Sequence, residues 1–151
     1  MKKSRRSISP AGLDLIKEFE GFSAAPYVDS DRGYSIGYGH FILPGQHFEL
    51  IDEETATHLL LNDLAIAEDA VNTNVTVDIN QNMYDALVSF TYNVGIGAFK
   101  SSTLLRKLNS GDYDGVSDEF KRWNKSTIGG EKIELAGLTA RRAREAEVFI
   151  S

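Results

Sequence analysis

The chain has 151 residues, a formal net charge of −6 and no cysteine. This length suits one domain with a core large enough to fold without covalent cross-links. A chain without cysteine has no disulfide, no thiolate nucleophile and no cysteine ligand for a metal. The acidic balance argues against nucleic acid as the main partner, because phosphate binding requires a basic surface.

The distribution of apolar residues predicts neither stable membrane insertion nor secretion. No apolar run approaches the ~20 residues of a membrane helix. The opening MKKSRRSISPAGLDLIKEF is basic, but Asp14, Lys17 and Glu18 interrupt the apolar stretch that a secretory signal needs. We therefore expect the basic opening to be a solvated tail.

The first predicted helix ends close to an acidic side chain. Ser9 followed by Pro10 is typical of a helix start, with serine as the N-cap and proline at the first helical position. Gly21 is suited to end this helix in the left-handed conformation, which places Glu20 in the last turn. Over residues 27–41, aromatic and β-branched residues flank the turn-forming DSDRG, so we predict an antiparallel hairpin followed by an extended segment.

Glycines and helix caps organise the middle of the chain. Gly37 and Gly39, within the extended segment, predict bulges or a close approach by another group. Asp52 is predicted to cap a long helix over residues 53–72, which would connect two lobes. Asn80 is predicted to cap the next helix, QNMYDALVSFTYNV, whose largely apolar circumference is typical of a central helix.

The last third of the chain is predicted to be helical. After GIGAF, we expect shorter helices over residues 102–109, 113–123 and 140–150. Thr139 is the predicted N-cap of the last helix, and residues 124–137 are predicted to form a loop.

Together these elements predict an α+β, predominantly helical fold. A small antiparallel sheet would lie in an N-terminal lobe of roughly residues 9–51, followed by the connecting helix and a helical lobe over residues 72–151. No repeat or linker interrupts the sequence, so residues 1–151 are expected to form one domain. A cleft between lobes is a common place for a ligand.

Three side chains around the predicted hairpin form a candidate catalytic set. Glu20 lies at the negative end of a helix dipole beside Phe19 and Phe22, which favours its protonated form and suits a general acid. Asp29 lies in a polar turn where it can remain ionised, and Ser35 brings a hydroxyl that can hold a water. Two carboxyl groups in different protonation states are the usual requirement for splitting a glycosidic bond. The simpler alternative is that Glu20 is a surface helix residue, Asp29 a turn former and Ser35 an exposed strand residue.

A longer pattern of residues surrounds this set. Eight residues separate Glu20 from Asp29, five more separate Asp29 from Ser35, and the segment ends in GYGH at residues 37–40. LIKEFEG…PYVDSDRGYSIGYGH resembles the catalytic segment of phage-type lysozymes, the endolysin muramidases of glycoside hydrolase family 24, which include the T-even phage lysozyme. DALVSFTYNVGIGAFKSSTLLRKLNSGDY and RWNKS…GG…LAGLTARRAREAEVF resemble later parts of that family, so the likeness covers roughly residues 8–150. The family usually has threonine where this chain has Ser35.

The resemblance implies a lysozyme-like fold and a muramidase activity. The reaction would be hydrolysis of the β-1,4 bond between N-acetylmuramic acid and N-acetylglucosamine in bacterial peptidoglycan, leading to host cell lysis. Glu20 would protonate the leaving oxygen, while Asp29 with Ser35 would place and activate water on the opposite face. The implied outcome is inversion, and neither a metal nor another cofactor is implied.

Further residues are expected to bind substrate or to support the site. Tyr92 and Asn93, in the family's YNVG segment, are expected to contact sugar, and Phe41 is a further candidate for substrate binding. His40 is expected to be structural and to form an ion pair with Asp63, which would lower the pKa of that carboxyl. The two glycines of GYGH are expected to be structural.

Two other functions remain open from the sequence. One is a peptidoglycan-binding protein on the same fold with weakened catalysis, since serine replaces threonine at position 35. The other is a transglycosylase, against which Asp29 argues because an intramolecular attack needs no base for water. A lysozyme of this kind is expected to be a monomer in the host bacterial cytoplasm and to depend on a membrane lesion, such as a phage holin, to reach the wall.

Overall fold

The computed structural model describes residues 5–29 and 33–151, which fall into two compact units. One unit is Asp14–Ala65, and the other is the chain through Leu13 together with Ile66–Ser151. The lobe boundaries expected from the sequence stay a prediction. The expected α+β class, mainly helical with small antiparallel sheets, is confirmed.

The unit Asp14–Ala65 contains a three-stranded antiparallel sheet in the order β1-β2-β3. Its strands are β1 (Ser23–Val28), β2 (Tyr34–Gly37) and β3 (His40–Phe41). The predicted hairpin is therefore confirmed, although most of its DSDRG turn, residues 30–32, lies outside the described residues. The segment predicted to be extended instead turns back, because Gly37 and Gly39 adopt φ values of 66° and 82°.

Helices α1 (Pro10–Glu20) and α2 (Glu53–Asn74) begin at the predicted caps. The Ser9 hydroxyl accepts the Gly12 N–H at 3.1 Å, and Asp52 Oδ1 accepts the Thr55 N–H at 2.8 Å. Gly21, with φ of 70°, ends α1, as predicted. Side chains at helical spacing along α2 are buried, namely Leu60, Leu64, Ala67 and Val71.

The other unit contains the remaining helices and a second hairpin. In chain order these are α3 (Gln81–Val94), α4 (Ile96–Ser101), α5 (Thr103–Asn109), α6 (Tyr113–Lys121), β4 (Lys125–Ile128), β5 (Glu131–Glu134) and α7 (Ala136–Ile150). Asn80 caps α3 as predicted, by accepting the Met83 N–H at 2.8 Å. Helices α3 and α6 pack against α7, and aromatic side chains fill that core: Phe90, Phe120, Trp123 and Phe149.

The structure corrects two predictions in this unit and adds one helix, α4, for which the sequence analysis made no prediction. Residues 124–137 contain a hairpin instead of the predicted loop. The hairpin was missed because its second strand is exposed throughout and shows no alternation of apolar and polar residues. Helix α7 begins at Ala136, so Thr139 lies inside the helix and is not its N-cap; the N-cap is Leu135, which makes no side-chain capping bond.

The expectation of a solvated N-terminal tail is wrong for its described part. The Arg6 guanidinium donates to the Ile79 carbonyl at 2.9 Å, and the Arg6 N–H donates to Asn72 Oδ1 at 2.9 Å. Arg5 forms an ion pair with Asp69. These bonds hold the opening segment against its own unit, while residues 1–4 lie outside the described part.

In the described part of the chain, none of the helices has the length and apolar character needed to cross a bilayer.

Candidate active site

Strand pairing aligns several side chains on one face of the first sheet. Tyr27 in β1 lies opposite Ser35 in β2, and Ser35 lies opposite Phe41 in β3. Residues directly opposite each other in an antiparallel sheet share a face. Asp29 follows two residues after Tyr27, and its N–H donates to the Gly33 carbonyl at 2.8 Å, which continues the extended pairing and keeps it on that face.

The Ser35 hydroxyl is bonded to the predicted base. Ser35 Oγ donates to Asp29 Oδ2 at 2.6 Å, and the Ser35 residue is fully buried. The alternative that Ser35 is an exposed strand residue is therefore wrong. Since the serine proton is directed at the carboxylate, the oxygen lone pairs of the hydroxyl remain available to accept hydrogen bonds.

The Glu20 carboxyl lies against the turn between β2 and β3. Glu20 is the last residue of α1, and a Cβ built on Gly39 would stand 3.1 Å from Glu20 Oε1. The close approach predicted for Gly39 is thus confirmed. The turn also requires a positive φ at Gly39, which glycine adopts easily. Glycine at this position therefore allows the turn and leaves room for the Glu20 carboxyl.

The phenol of Tyr27 is influenced by both predicted catalytic carboxylates. Burial, followed by the negative charges of Asp29 and Glu20, raises the pKa of Tyr27, and a hydrogen bond with the Ser35 side chain opposes this shift. Strand register places Asp29 and Ser35 on the same face of the sheet as Tyr27.

His40 forms the predicted contact with Asp63. Its Nδ1 lies 2.8 Å from Asp63 Oδ2, and its Nε2 lies 2.9 Å from Gln46 Oε1. The Gln46 oxygen also accepts the Leu43 N–H at 2.9 Å, which fixes the orientation of its amide. Both ring nitrogens thus lie within hydrogen-bond distance of an oxygen atom. His40 fastens the start of β3 to α2 and to the following loop.

The expected direction of the Asp63 pKa shift is wrong. Burial raises the pKa of the Asp63 carboxyl, and this effect is larger than the lowering by the hydrogen bond and the charge of His40. The sequence identified the partner but gave no measure of desolvation, which penalises the charged form.

The remaining substrate-binding candidates lie in the other unit, except Phe41. Tyr92 is partly buried in the last turn of α3. Asn93 lines a surface pocket of about 340 Å³ whose other lining residues include Trp123 and Arg142. Their contact with sugar, like the role of Phe41, stays a prediction.

A buried ionic cluster supports Asn93 and was not foreseen from the sequence. Arg142 donates to Asn93 Oδ1, to Glu145 and to the Trp123 carbonyl, and its guanidinium lies 5.1 Å from the Phe90 ring centroid. Burial lowers the pKa of Arg142, an effect that Glu145 opposes. Because charged residues are rarely buried, the sequence of α7 did not indicate this cluster. The available signal was the i to i+3 spacing of Arg142 and Glu145.

Tyr27 was also not singled out from the sequence. The available signal was its position two residues before Asp29 in a predicted strand, which places both side chains on one face.

Comparison with known proteins identifies the family of this chain. Residues 17–145 match the family described as phage lysozyme. The chain is 44% identical to an endolysin of Bacillus phage B103 over 147 residues, 96% of this chain and 54% of that protein. It is 40% identical to an endolysin of Acyrthosiphon pisum secondary endosymbiont phage 1, over 95% of this chain and 98% of that protein.

A solved structure shows the same fold. An endolysin from Escherichia coli O157:H7 phage FAHEc1 superposes with a TM-score of 0.92 at 38% identity, over 99% of this chain and 96% of that one. The chain spans about half the length of the two Bacillus phage endolysins that it matches, at 54% and 55%. The family match over most of the sequence and the shared fold establish that the chain belongs to the phage lysozyme family.

Proposed function

We propose that the protein is an endolysin-type lysozyme that hydrolyses the β-1,4 bond between N-acetylmuramic acid and N-acetylglucosamine in bacterial peptidoglycan. Family membership supports the glycoside hydrolase class, and similar proteins bear the name endolysin. The residue roles rest chiefly on one observation, the 2.6 Å hydrogen bond from the buried Ser35 hydroxyl to Asp29. A surface turn does not need a carboxylate bonded to a buried hydroxyl, whereas an oriented base does.

The proposed reaction is a single displacement. Glu20 gives its proton to the glycosidic oxygen as the bond from the anomeric carbon to that oxygen breaks. A water held at Asp29 and Ser35 attacks the anomeric carbon from the opposite face, and Asp29 takes the proton that this water loses. The products are two sugar ends, and solvent exchange restores the proton on Glu20 and removes the one on Asp29.

The configuration of the first product tests this reaction. Proton NMR during digestion of a purified, soluble peptidoglycan fragment should show the α-anomer of the new reducing end before mutarotation, because inversion converts a β-linkage into an α-product. An initial β-anomer would indicate a covalent intermediate and retention. An anhydro product, lighter by one water, would indicate transglycosylation and overturn the role of Asp29 as a base for water.

The alternative of a wall-binding protein with weakened catalysis is tested by clearing of a wall suspension. The Ser35–Asp29 bond favours hydrolysis, because serine keeps the hydroxyl of the usual threonine in contact with the carboxylate. We expect clearing by the wild type and none by Asp29→Ala. Wall binding without release of soluble fragments would support the alternative.

We also propose that the protein acts on the wall as a monomer after release through a holin-type membrane lesion. Expression in a bacterium should cause lysis only when a holin is produced as well. Lysis without a holin would contradict this dependence, and a dimer in sedimentation analysis would contradict the monomer.

A further inference from the structure

We propose that Arg142 is a positioning residue, which holds the amide of Asn93 by its oxygen and so presents the NH2 group to a carbonyl oxygen of the substrate. The inference rests on the proposed function, since peptidoglycan supplies that carbonyl. Arg142 is fully buried in α7, whereas Asn93 is exposed in the last turn of α3. Both line the pocket of about 340 Å³ in their unit.

The orientation of the Asn93 amide follows from the chemistry of its partner. A guanidinium has five N–H donors and no acceptor, so Arg142 Nη2 can bond only to the oxygen of the amide. The oxygen and the nitrogen diverge from one planar carbon, so Nδ2 points away from Arg142. Within residues 5–29 and 33–151, Nδ2 has no hydrogen-bond partner. Its two donors are therefore available to a ligand in the pocket.

Arg142 can hold this orientation because each nitrogen of its guanidinium is engaged. Nε donates to the Trp123 carbonyl at 3.0 Å, Nη1 donates to Glu145, and Nη2 donates to Asn93. The guanidinium also lies 5.1 Å from the Phe90 ring centroid. A planar group with three different partners cannot rotate without breaking a bond, so the amide that it holds is restricted to one orientation.

The acid that holds Arg142 is fixed in turn. Glu145 is fully buried, and its carboxylate accepts from Arg141 Nε at 3.2 Å and from the Ser89 hydroxyl at 2.5 Å. These bonds offset the cost of burying the charge, but apolar side chains of similar volume often stabilise a core at least as well. We therefore assign the cluster to the placement of the pocket residues that Arg142 bonds.

Arg142 joins two walls of the pocket. It bonds the side chain of Asn93 in α3 and the backbone of Trp123, which lies just beyond the end of α6. Trp123 also lines the pocket, so an amide donor and an indole are held by one guanidinium. A donor beside an aromatic surface fits an amide group, whose carbonyl accepts while its carbon atoms pack. Peptidoglycan has amide carbonyls in its acetamido groups and in its peptides.

Arg142→Lys tests the positioning role in a protein that keeps the charge beside Glu145. A lysine ammonium cannot match three diverging partners, so the bond to Asn93 should be lost without leaving the buried acid unpaired. For a soluble peptidoglycan fragment, KM should rise about threefold to tenfold, the effect of one lost hydrogen bond. We expect kcat to change by less than about twofold, because the proposed reaction assigns bond cleavage to other residues.

Arg144→Lys is the matched control, since it is the same exchange two residues further along α7. The Arg144 side chain is 43% exposed and pairs with Glu147 at 3.2 Å, so this variant should leave KM unchanged. A folding defect would lower the amount of active enzyme and hence the apparent kcat, but not change KM. A wild-type KM for Arg142→Lys would overturn the proposal.

A double-mutant cycle shows whether the effect passes through Asn93. Asn93→Ala removes the amide and should raise KM about as much as Arg142→Lys does. In the Asn93→Ala protein, the additional change Arg142→Lys should alter KM by less than about twofold. A full additional rise would overturn the proposal, because Arg142 would then act by another route.

NMR follows the Asn93 NH2 group without reference to activity. The titrations use Glu20→Gln protein, so that the ligands stay intact, with a disaccharide-peptide fragment, a tetramer of N-acetylglucosamine and the free wall peptide. A shift of the Asn93 NH2 resonances with the tetramer identifies an acetamido carbonyl, and a shift with the free peptide identifies a peptide carbonyl. The shift should shrink when Arg142→Lys is added. No shift at saturation with any of the three ligands would overturn the proposal.

Failure of this inference is distinguishable from failure of the proposed function. Hydrolysis by the wild type, together with an unchanged KM for Arg142→Lys, would reject the positioning role alone. A wild type that shows the Asn93 NH2 shift with the fragment but releases no product would reject the proposed function and leave the positioning role in place.

Discussion

A methyl group at Gly39 would test whether the turn between β2 and β3 positions the Glu20 carboxyl. Gly39 has φ of 82°, and its added Cβ would stand 3.1 Å from Glu20 Oε1. A non-glycine residue in the left-handed region costs roughly 1–2 kcal/mol. In a protein of this size we therefore expect the melting temperature of Gly39→Ala to fall by about 2–8 °C. The contact itself requires Glu20 to shift by a few tenths of an ångström.

The shift of Glu20 should appear in the rate of catalysis. Small displacements of a catalytic group have large effects, on the order of 100-fold for 1 Å, so we expect about a tenfold fall in kcat from this smaller shift. The assay is initial-rate hydrolysis of a soluble peptidoglycan fragment at a temperature well below both melting transitions. Under that condition loss of stability and loss of activity are measured separately.

Gly45→Ala is the matched control for the backbone effect. Gly45 has φ of 90°, and a Cβ there would meet nothing within 4 Å among the described residues. It should therefore lower the melting temperature about as much as Gly39→Ala and leave kcat unchanged. Equal kcat values for the two variants would refute the reasoning that space beside Gly39 is reserved for Glu20.

Three further predictions concern stability. Burial raises the pKa of Asp63, so its contribution is present below the unfolded value of ~3.9 and is lost as pH rises through the folded value. Urea unfolding from pH ~3 to ~5.5 should therefore show the free energy of unfolding of the wild type falling relative to that of Asp63→Asn. A rise of the wild-type value relative to that of the variant would contradict this. Among the described residues, the Thr91 hydroxyl is buried without a hydrogen-bond partner, so Thr91→Val should raise the free energy of unfolding by about 1 kcal/mol. A lower free energy of unfolding for the variant would contradict this prediction. In Gly12→Ala the new Cβ would overlap the buried Asp85 side chain. The free energy of unfolding should therefore fall by about 1–3 kcal/mol, although alanine has the better helix propensity. An unchanged value would mean that Asp85 can move away.

Local sequence signals were sufficient where a structure depends on nearby residues. Ser9, Asp52 and Asn80 cap their helices as predicted, because each bond joins a side chain to a backbone N–H only three residues away. The first hairpin was also predictable from its turn chemistry and its aromatic strands. The start of α7 was not, since its N-cap is Leu135 and makes no side-chain bond.

The site could be predicted only in part for the same reason. The resemblance of the segment around Glu20, Asp29 and Ser35 to phage-type lysozymes indicated a catalytic set, but the burial of Ser35 and its bond to Asp29 depend on strand register. Desolvation decides the direction of the pKa shift of Asp63. Desolvation depends on how the surrounding residues pack around the carboxyl, and the order of residues in the sequence does not show that packing. The buried ionic cluster around Arg142 likewise joins α7 to α3, far apart in the chain.

Cleavage of purified peptidoglycan by the wild type and by Glu20→Gln tests the central assignment most directly. The substitution keeps the size of the side chain and removes the proton that the leaving oxygen needs. We predict that mass analysis will show fragments with hydrated reducing ends from the wild type, and that Glu20→Gln, folded to the same extent, will release them at least about 100-fold more slowly. Release of the same fragments by Glu20→Gln at the wild-type rate would contradict the role of Glu20 as the general acid.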